Sequence, residues 1–151
     1  MKEKIRVLHV ITRLVAGGAD ENTLATVQGL DKSFYQVDLL IGGQSDFVFA
    51  SQSTGVRLIT LAELVRDPSP INDGIALCKL MRLIRKGRYH IVHTHTAKAG
   101  ILGRLAGFLC NTPLVIHTLH GSTFHDSLHP LRSRFYRLLE RLVARATTQF
   151  V

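Results

Sequence analysis

The chain has 151 residues, enough for one domain with a real core and hardly enough for two. Hydrophobic residues are 46% and charged residues 20%, the range of globular chains and not of disordered ones. The formal charge of +8 is lopsided: residues 1–75 hold 7 Lys/Arg against 9 Asp/Glu, residues 76–151 hold 12 against 2, so the basic half suits an anionic partner.

The first apolar run, Val7 to Ile11, is too short to span a membrane or to serve as a signal peptide. With its β-branched residues, "RVLHVIT" (6–12) reads as a buried strand. "AGGADENTLATVQGL" (16–30) opens on glycines and two acids, then sets Leu24, Val27 and Leu30 at helical spacing. "YQVDLLIG" (35–42) and "VRLITL" (56–61) are further strands. "DPSPIND" (67–73) is a loop whose Asn72 can cap the next helix. That helix, 73–86, carries Leu77, Leu80, Met81 and Ile84 on one face and Lys79, Arg82 and Lys86 elsewhere. "HIVHT" (90–94) is a fourth strand. In the following helix, 97–110, Gly100, Gly103 and Gly107 share a face, which weakens the helix but permits close approach to a sheet. "PLVIHTL" (113–119) is a fifth strand and "HGSTFHDSLHP" a polar loop. A helix over 130–146 is expected to turn Phe135, Leu138, Leu139, Leu142 and Ala146 inward, and "TTQFV" begins a sixth strand. Cys78 and Cys110 fall in apolar helical stretches without metal-ligand spacing, and read as two packed, reduced thiols of a cytoplasmic protein.

Alternating strands and helices predict an α/β, Rossmann-like, doubly wound parallel sheet with right-handed crossovers and strand order 3-2-1-4-5-6. Its switch point lies between the first and fourth strands, where ligands bind beyond the carboxyl ends. The loops "RLVAGGAD", "HTAKAG" and "HGSTF" therefore converge on one crevice.

Gly17 and Gly18 let the backbone approach a ligand, and the helix behind them offers N–H groups to an anion; alone, such a turn is also an ordinary tight connection. The missing G-x-G-x-x-G pattern argues against a nicotinamide cofactor, and the missing G-K-[ST] against a P-loop. His93 and His95, two apart on a strand, point to one side and can both reach a metal. Barrel hydrolases with such a pair need eight strand–helix units and acid ligands; this chain has about six strands, and after residue 75 Asp126 is the only acid in a loop near the crevice. The pair therefore reads as a pocket lip without a metal, with His93 in the core and His95 facing the crevice. His120 and Gly121 close strand five and can offer an imidazole and a backbone N–H together, while His117 reads as structural. No nucleophile motif or carboxylate pair appears, so the residues alone describe a domain that holds an anionic, hydroxyl-rich ligand.

"GGADENTL", "IVHTHTAKAGILGRLAG", "PLVIHTLHGSTFH" and "FYRLLERLVARAT" together resemble, in order and over nearly the whole chain, the N-terminal domain of family 4 glycosyltransferases, enzymes of GT-B fold. That resemblance implies a single acceptor-side domain over 1–151, with a second, nucleotide-sugar-binding domain beyond it and no transfer by this half alone. It implies that Gly17 and Gly18 lie against the donor diphosphate, that His120 touches the transferred sugar, and that His95, Thr96, Lys98 and Gly121 line the acceptor site. The family's Gly-Gly-x-Glu is shifted here, with Asp20 and Glu21 following Ala19. Retaining transfer without a metal or cofactor is implied, from a nucleotide-sugar to a sugar or lipid-linked acceptor. Two other readings are a GT-B nucleotide-sugar epimerase or hydrolase, which needs a carboxylate base in the crevice, and a stand-alone anion-binding or lipid-binding module. Nucleic acid is not expected, because Phe108, Phe135 and Tyr136 fall in apolar helix positions. Arg134, Arg137, Arg141 and Arg145 form one stripe on the last helix, either a solvated face or a contact with anionic lipid at the inner membrane face.

Overall fold

The computed structural model describes residues 3–15, 18–45, 55–119 and 130–151. In chain order the elements are β1 (Ile5–Ile11), α1 (Gly18–Gly29), β2 (Tyr35–Gly42), β3 (Arg57–Leu61), α2 (Pro70–Gly87), β4 (Ile91–His95), α3 (Ala97–Leu109), β5 (Leu114–Thr118), α4 (Pro130–Ala144) and β6 (Gln149–Phe150). The six strands form one parallel sheet in the order β3-β2-β1-β4-β5-β6, as the alternation of apolar strands and helices predicts.

Successive strand residues alternate between two cores. Leu8, Val10, Leu40 and Val92 pack with Leu80 and Ile84 of α2 and Ala99, Leu102 and Ala106 of α3. Val37, Leu39, Ile41 and Ile11 pack on the other side with Leu24 and Val27 of α1. Strands covered on both faces are apolar throughout, which is why they read as continuous runs.

The α3 glycines are required by that packing. A Cβ at Gly100 would lie 2.5 Å from the His117 ring, at Gly103 2.5 Å from Thr94 Cγ2, and at Gly107 3.0 Å from Val115 Cγ2.

The start of α2 differs from the expectation. Pro70 takes the first turn after Ser69, and Asp73, not Asn72, reaches back: its Oδ2 accepts the Ser69 N–H at 3.3 Å. Cys110 is half-buried, but Cys78 is exposed, because on α2 it points opposite to Ala76 and Leu80. Leu138 and Leu142, expected inward, are 56% and 57% exposed, and Phe108 is exposed as well. On α4 the inward side is the one holding the buried Val143 and the half-buried Leu139 and Glu140, roughly 100–200° around the helix from Leu138. The side chains of Phe135, Tyr136 and Arg137 lie outside the described residues.

A buried polar tie joins β2 to β3 and to the start of β4. The Tyr89 hydroxyl donates to Asp38 Oδ2, and Arg57 reaches the same oxygen at 2.8 Å. Burial, then the bond to Asp38, pushes the Tyr89 phenol up to about 12. The folded value stands above the unfolded one of ~10, so this contribution is present below pH 10 and is lost as pH rises toward 12. Unfolding free energies measured from pH 8 to 11.5 are expected to fall across that window by on the order of 2 kcal/mol, and Tyr89→Phe to flatten the fall. Equal pH slopes in the two proteins would refute the assignment.

Candidate functional site

The carboxyl ends of β1 and β4 lie side by side, Ile11 pairing with His95, where the direction of strand order reverses. One residue further on, Thr12 and Thr96 hold the two loops together. Thr96 Oγ1 accepts the Thr12 N–H at 3.3 Å and donates to Thr12 Oγ1 at 2.9 Å. Thr12 Oγ1 also accepts the Ala99 N–H at 2.9 Å, so the first turn of α3 is capped from β1 and not from its own N-cap residue, Thr96. Thr96 has φ 65° and ψ 164°, a conformation L residues rarely adopt, at a cost of roughly 1–3 kcal/mol. Such strain persists where surroundings enforce it, and here the hydroxyl pair does so.

The α1 side of the crevice is built on local bonds. Gly18 opens the helix, and Asp20 and Glu21 both lie in its first turn. Asp20 is buried and its Oδ2 accepts the Val15 N–H at 3.0 Å, while Glu21 is exposed. The acid that folds back onto the turn is therefore Asp20. Ser45 Oγ, from the loop after β2, accepts the Leu14 N–H at 3.0 Å.

Of the residues expected to touch ligand, Gly17, His120 and Gly121 lie outside the described residues. Gly18, His95, Thr96 and Lys98 are brought to the same end of the sheet. Thr96 is half-buried at the junction of the loops. Lys98 is held by α2: its Nζ lies 2.8 Å from Asp73 Oδ1 and also donates to the Asp67 carbonyl. His95 reverses the expectation. It is 1% exposed, its Nε2 lies 3.0 Å from His9 Nδ1, and His93 is the more accessible of the two. Burial, with the nearby His93 and Lys32 adding to it, lowers the His9 imidazole to about 3, so His9 stays neutral at any ordinary pH. His117 is structural, buried on the opposite face and 2.9 Å from Thr94 Oγ1.

Sequence reading missed Thr12 and His9. Each stands 84–86 residues from its partner, and only the β1–β4 register brings them together. A groove of about 390 Å³ lined by Phe108, Asn111, Thr112 and Arg145 lies at the other end of the sheet, where the strands begin, and has no part in this constellation.

The glycosyl transferase 4-like domain family matches residues 17–151. The chain is 32% identical over 151 residues to the Escherichia coli UDP-Gal:alpha-D-GlcNAc-diphosphoundecaprenol alpha-1,3-galactosyltransferase, covering 98% of this chain and 38% of that protein. Its fold is similar to that of Acinetobacter baumannii MurG, with TM-score 0.68, 14% identity, and coverage of 97% of this chain and 40% of that one. It is also similar to a UDP-GlcNAc 2-epimerase from Neisseria meningitidis solved with UDP-GlcNAc, with TM-score 0.62, 14% identity, and coverage of 92% and 38%. The chain thus spans well under half the length of the relatives it matches.

Proposed function

Because this chain belongs to the glycosyl transferase 4-like domain family, we propose that it forms the acceptor-side half of an enzyme moving a sugar from a nucleotide-sugar to a lipid-linked acceptor. The observation that carries the reading is the 32% identity, along the whole chain, to an enzyme that transfers galactose from UDP-Gal onto a sugar carried by diphosphoundecaprenol. The domain's own chemistry is compatible with it. The first turns of α1 and α3 both open at the switch point, and helix N-termini attract the phosphates that donor and acceptor would carry. In this reading Gly17 and Gly18 lie against the donor diphosphate and His120 contacts the reacting sugar. Thr96, Lys98 and Gly121 line the acceptor side, with His95 beneath them, and the transfer is retaining.

The test is a transfer assay on a protein in which this domain is joined to a nucleotide-sugar-binding domain, with UDP-galactose and a diphospho-lipid-linked N-acetylglucosamine. His120→Ala is expected to cut turnover by about 10²-fold or more, if its loss resembles that of a donor at a reacting oxygen. His117→Ala is expected to lower the melting temperature instead, since its ring fills the space over Gly100. Gly18→Val is expected to abolish transfer without unfolding the domain. Full activity in Gly18→Val and His120→Ala would overturn the reading. An epimerase needs a carboxylate free to move a proton. Of the described acids at this end of the sheet, Asp20 and Asp73 are bound to the Val15 N–H and to Lys98, while Glu21, in the first turn of α1, is exposed.

A lipid-linked acceptor calls for contact with a membrane surface. No helix among the described residues is long and apolar enough to cross one. On α4 the exposed Arg134 and Arg141, with Arg145 just beyond its end, share the accessible surface with the exposed Leu138 and Leu142, a combination suited to lying on anionic lipid. Each basic residue contributes on the order of 1 kcal/mol at such a surface. The domain is expected to co-sediment with anionic vesicles at low salt, to be released at high salt, and to lose binding in Arg134→Glu/Arg141→Glu. Binding indifferent to lipid charge, or none at low salt, would refute the contact.

A further inference from the structure

Beneath the crevice, on the α1 face of the sheet, three imidazoles meet. The parallel register sets His9 of β1 opposite His93 of β4 and Ile11 opposite His95, so the three histidines share a face. Their ring centroids lie 4.8 Å (His9–His93), 4.3 Å (His93–His95) and 5.3 Å (His9–His95) apart. One nitrogen from each ring can be chosen so that all three lie within 4.8 Å of one another. The neighbouring strand residues on this face are the buried Val37, Leu39, Ile41, Val7 and Ile11. An aliphatic side chain would fill this place without desolvating an imidazole.

The hydrogen bonds around the cluster fit a ligand set. His93 Nε2 lies 2.7 Å from Thr118 Oγ1, the kind of outer bond that fixes the orientation of a metal-binding ring. His9 Nδ1 and His95 Nε2 share one proton at 3.0 Å. Two nitrogens bound to one tetrahedral zinc at 2.0–2.1 Å are separated by about 3.3 Å, so a cation can take that proton's place with little movement. The remaining His9 nitrogen, Nε2, is buried without a hydrogen-bond partner and would carry the ring's proton when Nδ1 binds the cation.

We propose that His9, His93 and His95 form a binding site for a divalent transition-metal ion of the zinc class, tying β1 to β4 directly under the crevice. Three neutral nitrogen ligands select Zn²⁺, Co²⁺ or Ni²⁺ over Mg²⁺ and Ca²⁺, which require oxygen. The pair His93 and His95 lacked a third ligand in the sequence because an acid was sought near them; β1 supplies an imidazole instead. The site stands apart from the transfer reading, because a cation here braces the two strands whether or not sugar is moved.

The test uses the 151-residue chain stripped with a chelator and titrated with Co²⁺. One equivalent is expected to bind, with the visible absorption of tetrahedral, nitrogen-ligated cobalt, and to be displaced by Zn²⁺ but not by Mg²⁺. Zn²⁺ at 100 times its Kd is expected to raise Tm by about 5–10 °C. His9→Leu, whose side chain suits the surrounding apolar face, is expected to fold and to weaken binding at least 100-fold. His93→Gln, at the half-buried position, serves the same purpose should His9→Leu fail to fold. A chain with His120, His125 and His129 all replaced by Asn is expected to bind as before. No stoichiometric binding, binding unchanged in His9→Leu or His93→Gln, or binding lost in the triple variant would each overturn the proposal.

Discussion

Gly42→Ala is expected to destabilise this chain severely. A Cβ at Gly42 would stand 2.0 Å from the Thr12 carbonyl oxygen and 2.1 Å from that of Leu64, both backbone atoms with no flexible end to yield. Neither carbonyl is free to move. Thr12 is bonded to Thr96 through its N–H and its hydroxyl, and Leu64 is tied to Leu61 through its N–H. Making room means withdrawing the loops after β1 and β3 from the end of β2, and with them the buried Leu14 and Leu64. The expected cost is about 4 kcal/mol or more, equivalent to roughly 8–16 °C in Tm for a domain of this size. Gly74→Ala is the matched control: it lies inside α2, nothing stands within 4 Å of its added Cβ, and it is expected to gain up to about 1 kcal/mol. Urea denaturation of both variants decides the matter. A Gly42→Ala protein melting within 2 °C of the parent would refute the steric account.

Glu140→Ala is expected to cost about 3–5 kcal/mol, because it strands a charge in the interior. Arg104 on α3 is 0% exposed. Its Nη2 lies 2.6 Å from Glu140 Oε2, its Nε donates to the Gly100 carbonyl at 2.7 Å, and its guanidinium sits 5.9 Å from the centre of the Phe150 ring. The pair fastens α4 to α3 and so sets the surface that carries the arginines. Without Glu140 the desolvation of the buried guanidinium is no longer offset. Arg104→Met/Glu140→Leu is expected to recover most of the loss, since two apolar groups of similar volume need no partner. Chemical denaturation of the two variants checks this. A Glu140→Ala protein as stable as the parent, or a double variant worse than the single, would show that the pair is not what holds α4.

Patterns local along the chain were legible without coordinates. Apolar runs and helical spacing predicted the element order, and the rule for parallel crossovers predicted the strand order, because both follow from short-range geometry of the backbone. The shared face of Gly100, Gly103 and Gly107 foretold close contact with the sheet for the same reason. The motifs around Gly18, His93 and Thr118 pointed to the family. Side-chain surroundings at the crevice were not legible. That His95 is buried against His9, that Thr12 caps α3, and that Asp73 holds Lys98 are contacts between elements 25–87 residues apart. Exposure of Leu138 and Leu142 was equally hidden, because helical spacing says which residues share a face but not how much of that face a neighbour covers. The sequence by itself determined which elements form and in what order they lie. Register between β1 and β4, the cross-strand caps and the histidine cluster were decided by the tertiary structure, because they depend on angles and spacings that exist only once both strands are in the sheet.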